Sequence, residues 1–134
     1  MKIYLNQIKK NIELEGRSFI PVCKSKEVLE KKGLQLIFED DLDFQIALFR
    51  LKGQIYCVSN ICPHRHADQI FNGIISGMNI TCPLHGWTYS LETGKNTNPH
   101  QGLRSLVHYD SFESEGLVYI EKPHFEPPAW RKNL

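Results

Sequence analysis

Residues 62–89 read CPHRHADQIFNGIISGMNITCPLHGWTY and contain two short segments that each combine a cysteine, a proline and a histidine. The first segment, C-P-H-R-H-A, covers residues 62–67, and the second, C-P-L-H-G-W, covers residues 82–87. Seventeen residues separate His64 from Cys82, and apolar, strand-like sequence flanks both segments. Each segment is therefore expected to form a loop at the end of a β-hairpin. Two such loops side by side would bring two cysteines and two histidines to one point.

Two cysteines and two histidines can hold either of two metal centres. A structural zinc site uses this ligand set in a tetrahedral arrangement, usually with ligands two to four residues apart within each pair. A [2Fe-2S] cluster can instead place both thiolates on one iron and both imidazoles on the other. Here each pair is mixed, and the first spacing, C-x-H, is tighter than zinc sites prefer. The pattern favours the [2Fe-2S] cluster, with zinc as the alternative.

The sequence around the two segments is typical of an all-β fold. Segments rich in β-branched and aromatic residues recur at short intervals, with turns at residues 52–53, 92–95 and 113–116. The predicted strands are 17–24, 34–38, 44–51, 54–59, 69–75, 78–81, 87–91, 103–109 and 117–121. One short helix is predicted over residues 25–32, with Gly33 just beyond it. Many short strands at even spacing indicate a sandwich or a barrel.

Composition and charge exclude several classes of protein. The chain has 134 residues and a formal net charge of +1, which gives no indication of a nucleic-acid partner. Its 41% hydrophobic and 23% charged residues are ordinary for one globular domain. Residues 1–10 lack the apolar run of a signal peptide, and no apolar run is long enough to span a bilayer. We therefore expect a cytoplasmic protein without membrane contact.

The motif C-x-H, seventeen residues, C-x-x-H-G-W-x-Y resembles that of the Rieske family. The resemblance runs from about residue 18 to residue 120 and includes the lead-in I-Y-C-V-S-N-I and the turn L-E-T-G-K. It implies one Rieske-type [2Fe-2S] cluster and an antiparallel β-sandwich base that carries a small cluster-binding subdomain. The ligands that it implies are Cys62, His64, Cys82 and His85, and the other matching positions are Gly86, Trp87 and Tyr89. The implied division is an extension at 1–16, a Rieske domain at 17–121 with cluster loops at 60–90, and a tail at 122–134.

Three positions indicate the branch of the family. Ala67 and Leu84 stand where respiratory members carry a disulfide across the cluster loops, and Trp87 stands where those members have a serine. Both differences match the branch of ferredoxins and ring-hydroxylating oxygenases. One position departs from that branch, because His66 replaces the usual glycine. With fewer hydroxyl donors near the sulfurs, a reduction potential at the lower end of the Rieske range is expected.

The resemblance also implies how electrons move. Neutral imidazole ligands leave the oxidised cluster uncharged, which makes reduction easier than with four thiolates. Tyr89 is expected to donate a hydrogen bond to the sulfur of Cys82 or Cys62. Histidine ligands at an exposed tip would give the electron a short way out. Arg65 and His66 flank the first histidine and are candidates for contact with a docking partner, although a solvated loop explains them equally well.

The function that follows is electron transfer. Only 45 residues follow Tyr89, and they offer no 2-His-1-carboxylate triad, so we expect an electron carrier rather than a complete oxygenase. The favoured hypothesis is a ferredoxin that takes electrons from a flavin-dependent reductase and delivers them to a terminal oxygenase. The alternative is a small subunit fixed in a multi-subunit oxidoreductase, like that of nitrite reductase. Cys23 and Cys57 lie in apolar strands and are expected to be buried, not ligands.

Overall fold

The structure, a computed structural model, describes residues 2–5, 12–38, 41–63, 67–84, 86–98 and 104–122. Within these residues the chain forms twelve β-strands and two single 3-10 turns, at Ser25–Glu27 and Ile70–Asn72. The strands are β1 (Lys2–Leu5), β2 (Ile12–Leu14), β3 (Arg17–Lys24), β4 (Gly33–Phe38), β5 (Asp41–Leu51), β6 (Gln54–Ser59), β7 (Ile74–Ser76), β8 (Asn79–Thr81), β9 (Thr88–Ser90), β10 (His108–Tyr109), β11 (Ser111–Ser114) and β12 (Leu117–Glu121).

These strands make three sheets. The first has the order β1-β4-β5-β6-β10, the second β11-β12-β3-β2, and the third β7-β8-β9. The β1–β4 pair is parallel, and the other described strand pairs are antiparallel. The predicted all-β, mainly antiparallel fold is confirmed.

Strand β5 separates two hydrophobic cores. Ile46 and Leu48 point into a base core that is shared with β3, β4 and β12. Ala47 and Phe49 point the other way, into a second core that contains the small third sheet. Successive side chains of a strand alternate between its faces, so a strand that is buried on both faces reads as a continuous apolar run. The sequence I-A-L-F at 46–49 is therefore explained by its position between two cores.

The predicted turn at residues 52–53 is confirmed. Lys52 and Gly53 both have positive φ, at 52° and 79°, and they connect Leu51 and Gln54, which are paired in the β5–β6 ladder. Two-residue hairpin turns of this kind need positive φ at both positions, which glycine adopts without strain.

The helix predicted over residues 25–32 is wrong. The structure has a single 3-10 turn there, and no side chain caps it. The backbone polar groups of this segment are used by other elements: Ser25 N–H donates to Gly116 O, and Arg50 donates to the carbonyls of Ser25 and Val28. These long-range contacts tie the segment to β5 and to the turn before β12, so its conformation follows the tertiary fold and not its local helix propensity.

Four other regions differ from the sequence-based expectation. The strand predicted over 103–109 is present only as β10, and residues 104–107 form no strand. The strand predicted over 69–75 is a 3-10 turn followed by β7, and β11 was not predicted. Residues 1–16 showed no clear period, yet they supply β1 and β2, which pair with β4 and β3. Residues 123–134 of the predicted tail lie outside the described residues. The domain limits therefore stay a prediction.

Candidate metal centre

The two cysteine segments lie in two loops that we call the first loop (residues 60–73, from β6 to β7) and the second loop (residues 82–87, from β8 to β9). Both segments are closed in the same way. Cys62 N–H donates to Ala67 O at 2.8 Å, and Cys82 N–H donates to Trp87 O, also at 2.8 Å. In each case the cysteine begins a six-residue segment, 62–67 or 82–87, and the N–H of that cysteine joins the two ends of the segment.

The two cysteines lie in the same packed core. Cys62 is 0% exposed and Cys82 is 1% exposed, and both belong to the second core together with Ile80 and Tyr89. Neither is in a disulfide. Two thiols that are buried in one cluster of side chains, each at the start of a closed loop, are suitably placed as ligands of a shared metal centre.

Tyr89 connects the two loops. It lies on β9, which follows the second loop, and its hydroxyl is 3.5 Å from Cys62 Sγ in the first loop. Burial raises the pKa of Tyr89, and the hydrogen bond to Cys62 and the nearby charge of Cys82 raise it further. The phenol therefore stays protonated and donates when Cys62 is a thiolate. Between the two cysteines that sequence reasoning left open, the hydroxyl contacts Cys62.

The other predicted site residues divide into two groups. Gly86 has a φ of 73° and donates its N–H to Cys82 O at 3.0 Å, which tightens the second loop. Trp87 is partly buried and packs against the second core at the base of that loop. The remaining four predicted site residues, His64, Arg65, His66 and His85, lie outside the described residues.

The described part of the chain contains two of the four predicted ligands, Cys62 and Cys82. Within it, no group of three or more His, Cys, Asp or Glu side chains is placed to hold a metal ion. Two of the four predicted ligands are not in that part, so the ligand set stays a prediction at this point. What the described residues supply is the cysteine half of the site.

The other two cysteines are unsuited as ligands. Cys57 is fully buried in the base core, and burial raises the pKa of its thiol well above the ordinary value. Cys23 is half-buried, and burial raises its pKa to about 12. Both cysteines lie in or against the base core, whereas Cys62 and Cys82 belong to the second core, so neither is placed with the two predicted ligands. The expected burial of Cys57 is confirmed.

Two residues near the first loop were missed by sequence reasoning. Asn60, the first residue of that loop, is fully buried, and its side chain makes hydrogen bonds to Asp68 O and Phe71 N–H further along the loop. Arg104 donates from Nη1 to Pro63 O at 3.1 Å, across 41 residues of sequence. The only sequence indication for Asn60 was its polar side chain in the apolar lead-in I-Y-C-V-S-N-I. Nothing local indicated Arg104, because its contact depends on the tertiary fold.

An antiparallel β fold that buries two loop cysteines in one core is suited to the class of small iron–sulfur domains. Residues 18–112 match the family model of the Rieske [2Fe-2S] domain. The chain belongs to this family.

Individual relatives support the assignment. The chain is 27% identical over 113 residues to the 3-phenylpropionate/cinnamic acid dioxygenase ferredoxin subunit of Escherichia coli (strain K12), which covers 81% of this chain and 97% of that protein. It is 32% identical over 118 residues to the terminal oxygenase component CarAa of carbazole 1,9a-dioxygenase from Metapseudomonas resinovorans, covering 81% of this chain and 29% of that protein. The chain thus spans less than a third of the length of several curated relatives that it matches.

A solved structure shows the same fold. The NADH-dependent nitrite reductase small subunit from Mycobacterium tuberculosis superposes with a TM-score of 0.69 at 21% identity, covering 81% of this chain and 98% of that one. Family membership and fold together confirm the Rieske fold and imply one Rieske-type [2Fe-2S] cluster. The chain is accordingly an electron-carrying Rieske domain. In its described residues, no helix has the length and apolarity to cross a membrane.

The described residues fit such a cluster. They present two buried thiols that form no disulfide, each at the start of a closed segment, and a protonated phenol lies against the sulfur of Cys62. Ala67 and Leu84 exclude a disulfide across the loops, as the sequence indicated. When bound, the cluster would supply a one-electron redox centre.

Proposed function

We propose that Cys62 and Cys82 ligate one iron of the cluster and His64 and His85 the other, and that the protein passes single electrons to a terminal oxygenase or a similar redox enzyme. The observation that carries this proposal is the burial of Cys62 and Cys82 in one core, each at the start of an equally closed loop. The histidines follow the cysteines by two and three residues, so both sit within those six-residue segments.

The protein's own residues have separate tasks in this proposal. The second core excludes water from the thiolates, which raises the strength of every electrostatic interaction there. The Tyr89 hydroxyl donates to Cys62 Sγ and stabilises negative charge on that sulfur. Because negative charge on the sulfurs grows on reduction, this hydrogen bond favours the reduced state. Neutral imidazoles from His64 and His85 would keep the total charge low and the potential within the Rieske range.

The surface at the second loop suits a transient partner. Pro83 and Gly86 are exposed, and the side chain of Leu84 is 54% exposed. A small apolar surface of this kind is typical of redox encounters, which bury little area and dissociate quickly. The likeness to a dioxygenase ferredoxin subunit supports an oxygenase as acceptor. A flavin-dependent reductase as donor is a further part of this proposal.

A small subunit of a multi-subunit oxidoreductase is the second candidate, favoured by the superposition on the nitrite reductase small subunit. The two candidates differ in behaviour during purification. A carrier purifies alone and exchanges electrons with a separate oxygenase, whereas a fixed subunit co-purifies with its enzyme in constant ratio.

The ligand set is tested by metal and sulfide analysis of wild-type protein and single variants. Wild-type protein is expected to be reddish-brown with two irons and two sulfides per chain. The colour is expected to be lost in each of four ligand variants: Cys62→Ser, Cys82→Ser, His64→Ala and His85→Ala. The matched control Cys23→Ala should keep it. Stoichiometric zinc in colourless wild-type protein, or full iron in any of the four ligand variants, would contradict the proposal.

The carrier role is tested by mixing the reduced protein with a terminal oxygenase of the ring-hydroxylating class under anaerobic conditions. We expect single-exponential reoxidation whose rate rises with oxygenase concentration. Reoxidation that is no faster than with an unrelated protein would contradict an oxygenase as acceptor.

A further inference from the structure

Asn60 is the polar residue with the most extensive role around the first loop. It is 0% exposed and lies two residues before Cys62. Its side-chain Oδ1 accepts a hydrogen bond from Phe71 N–H at 2.7 Å, and its Nδ2 donates to Asp68 O at 2.9 Å. Its backbone carbonyl accepts from Ile70 N–H at 3.4 Å. Asn60, which precedes Cys62, is thus bonded to three residues that follow Cys62: Asp68, Ile70 and Phe71.

The same amide also connects the loop to the base of the molecule. Asn60 Nδ2 donates to Gln45 Oε1 at 2.9 Å, and Asn60 N–H donates to Gln45 O at 2.9 Å. Gln45 lies on β5, and its Oε1 also accepts from Gln35 Nε2 on β4 at 2.7 Å. The three amides form a chain from the first sheet to the first loop.

The chemistry of this position requires an amide. The side chain must accept at one atom and donate twice at the other, and only asparagine at this length does both. An aliphatic residue of similar size would leave Phe71 N–H and Asp68 O without these partners in the core, and unsatisfied buried groups are costly. Three buried amides also cost more to desolvate than three apolar side chains, so their presence needs a reason beyond packing.

We infer that Asn60 is the positioning residue of the first loop: it holds residues 68–71, directly after Ala67, whose carbonyl accepts from Cys62 N–H, and thereby fixes the placement of Cys62. The inference rests on the proposed ligand set only for its effect on the cluster. The closure of the loop by Asn60 is independent of which metal is bound. The second loop closes through its own backbone, by Cys82 N–H on Trp87 O and Gly86 N–H on Cys82 O.

The test compares Asn60→Ala with Gln35→Leu in the holoprotein. Gln35→Leu removes an amide of the same buried chain that does not contact the loop, so it is the matched control. Three quantities are measured: amide hydrogen exchange by mass spectrometry with residue-level fragmentation, the rate of iron release to a chelator, and the EPR line width of the reduced cluster. The last quantity reports ligand geometry, which a general loss of stability leaves unchanged.

For Asn60→Ala we expect amide exchange at residues 67–72 and iron release to rise about tenfold or more, because a buried hydrogen-bond network is lost. Its EPR lines are expected to broaden as the ligand geometry becomes heterogeneous. Exchange in residues 79–91, around the second loop, should stay as in wild type, and Gln35→Leu should leave all three quantities near wild type.

Two results would overturn the inference. One is unchanged exchange and iron release in Asn60→Ala; the other is equal acceleration in both loops, matched by Gln35→Leu, which would indicate general destabilisation. If Asn60→Ala does not accumulate as folded protein, wild-type exchange decides: amides of Ile70 and Phe71 that exchange much faster than those of β5 contradict the inference. Wild-type protein without a [2Fe-2S] cluster would defeat the proposed function but leave the exchange test of Asn60 intact.

Discussion

The first and second loops close in the same way but are supported differently. Each is shut by the N–H of its cysteine on the carbonyl five residues later. The second loop continues directly from the β8–β9 ladder, where Thr81 is paired with Thr88. The first loop is held by its own Asn60, which is bonded to Gln45 on β5, and by two residues that are distant in sequence: Arg104 contacts Pro63, and Gly33 contacts Phe71.

The difference shows how one site can be built by two kinds of support. A loop that continues a hairpin takes its shape from neighbouring residues, whose ladder limits its geometry. A loop held by residues from three other parts of the chain depends on the completed fold. We therefore expect changes far from the cluster in sequence to disturb the first loop and leave the second unaffected.

The largest effect is expected at Gly33. A methyl group at this position would overlap the carbonyl of Phe71 at the far end of the first loop. Gly33→Ala should lower the free energy of unfolding by about 3 kcal/mol, because neither backbone can give way cheaply, and it should accelerate iron release. Urea unfolding and chelator assays measure both, with exposed Ser76→Ala as the control. A variant that unfolds like wild type would show that the first loop does not depend on this contact.

Tyr89→Phe is expected to lower the reduction potential by roughly 40 mV. A hydrogen bond that is about 1 kcal/mol stronger in the reduced state corresponds to this shift for one electron. The control is Tyr119→Phe, because Tyr119 stacks on Phe112 in the second sheet, away from the site. Voltammetry of both variants decides. An unchanged or higher potential in Tyr89→Phe would mean that the hydroxyl does not act on Cys62.

Thr81 and Thr88 test the local support of the second loop. Their hydroxyl oxygens lie 2.8 Å apart across the ladder. A double-mutant cycle is made from Thr81→Val, Thr88→Val and the double variant. We expect a coupling of about 0.5–1 kcal/mol in the free energy of unfolding. Iron release should change little, because the backbone ladder remains. A coupling near zero, together with rapid iron release, would contradict the view that the ladder supports this loop.

The smallest effect is expected at Arg104. Its guanidinium is exposed and donates one hydrogen bond to Pro63 O. Arg104→Met keeps the aliphatic stem, and we expect a change of less than about 0.5 kcal/mol in unfolding free energy and less than threefold in iron release. A tenfold faster iron release would show that Arg104, and not Asn60, is the main support of the first loop.

The features that could be predicted from the sequence are those with local causes. The Lys52-Gly53 turn and the hairpin setting of the second loop follow from residues next to each other in sequence. The failed helix at 25–32 and the role of Asn60 have the opposite origin. Arg50 ties the carbonyls of Ser25 and Val28 to β5 from more than twenty residues away, and Asn60 contacts Gln45 from fifteen residues away. Such contacts leave no periodic pattern in the sequence.

The predictions about the site divide in the same way, between features with local causes and features that depend on the tertiary fold. The C-x-H and C-x-x-H-G-W motifs sufficed to predict the family and the cofactor, both of which are confirmed. The pairing of Tyr89 with Cys62 rather than Cys82 depends on how β9 packs under the first loop, and no motif could predict that choice. The assignment of His64 and His85 stays a proposal.

Pulsed EPR of the dithionite-reduced, iron-replete protein tests the central claim most directly, because it detects nitrogen ligands on the reduced cluster. The account predicts a [2Fe-2S] signal with strong couplings to two imidazole nitrogens, one from His64 and one from His85. A reduced [2Fe-2S] signal without nitrogen couplings, or no such signal at all, would contradict it.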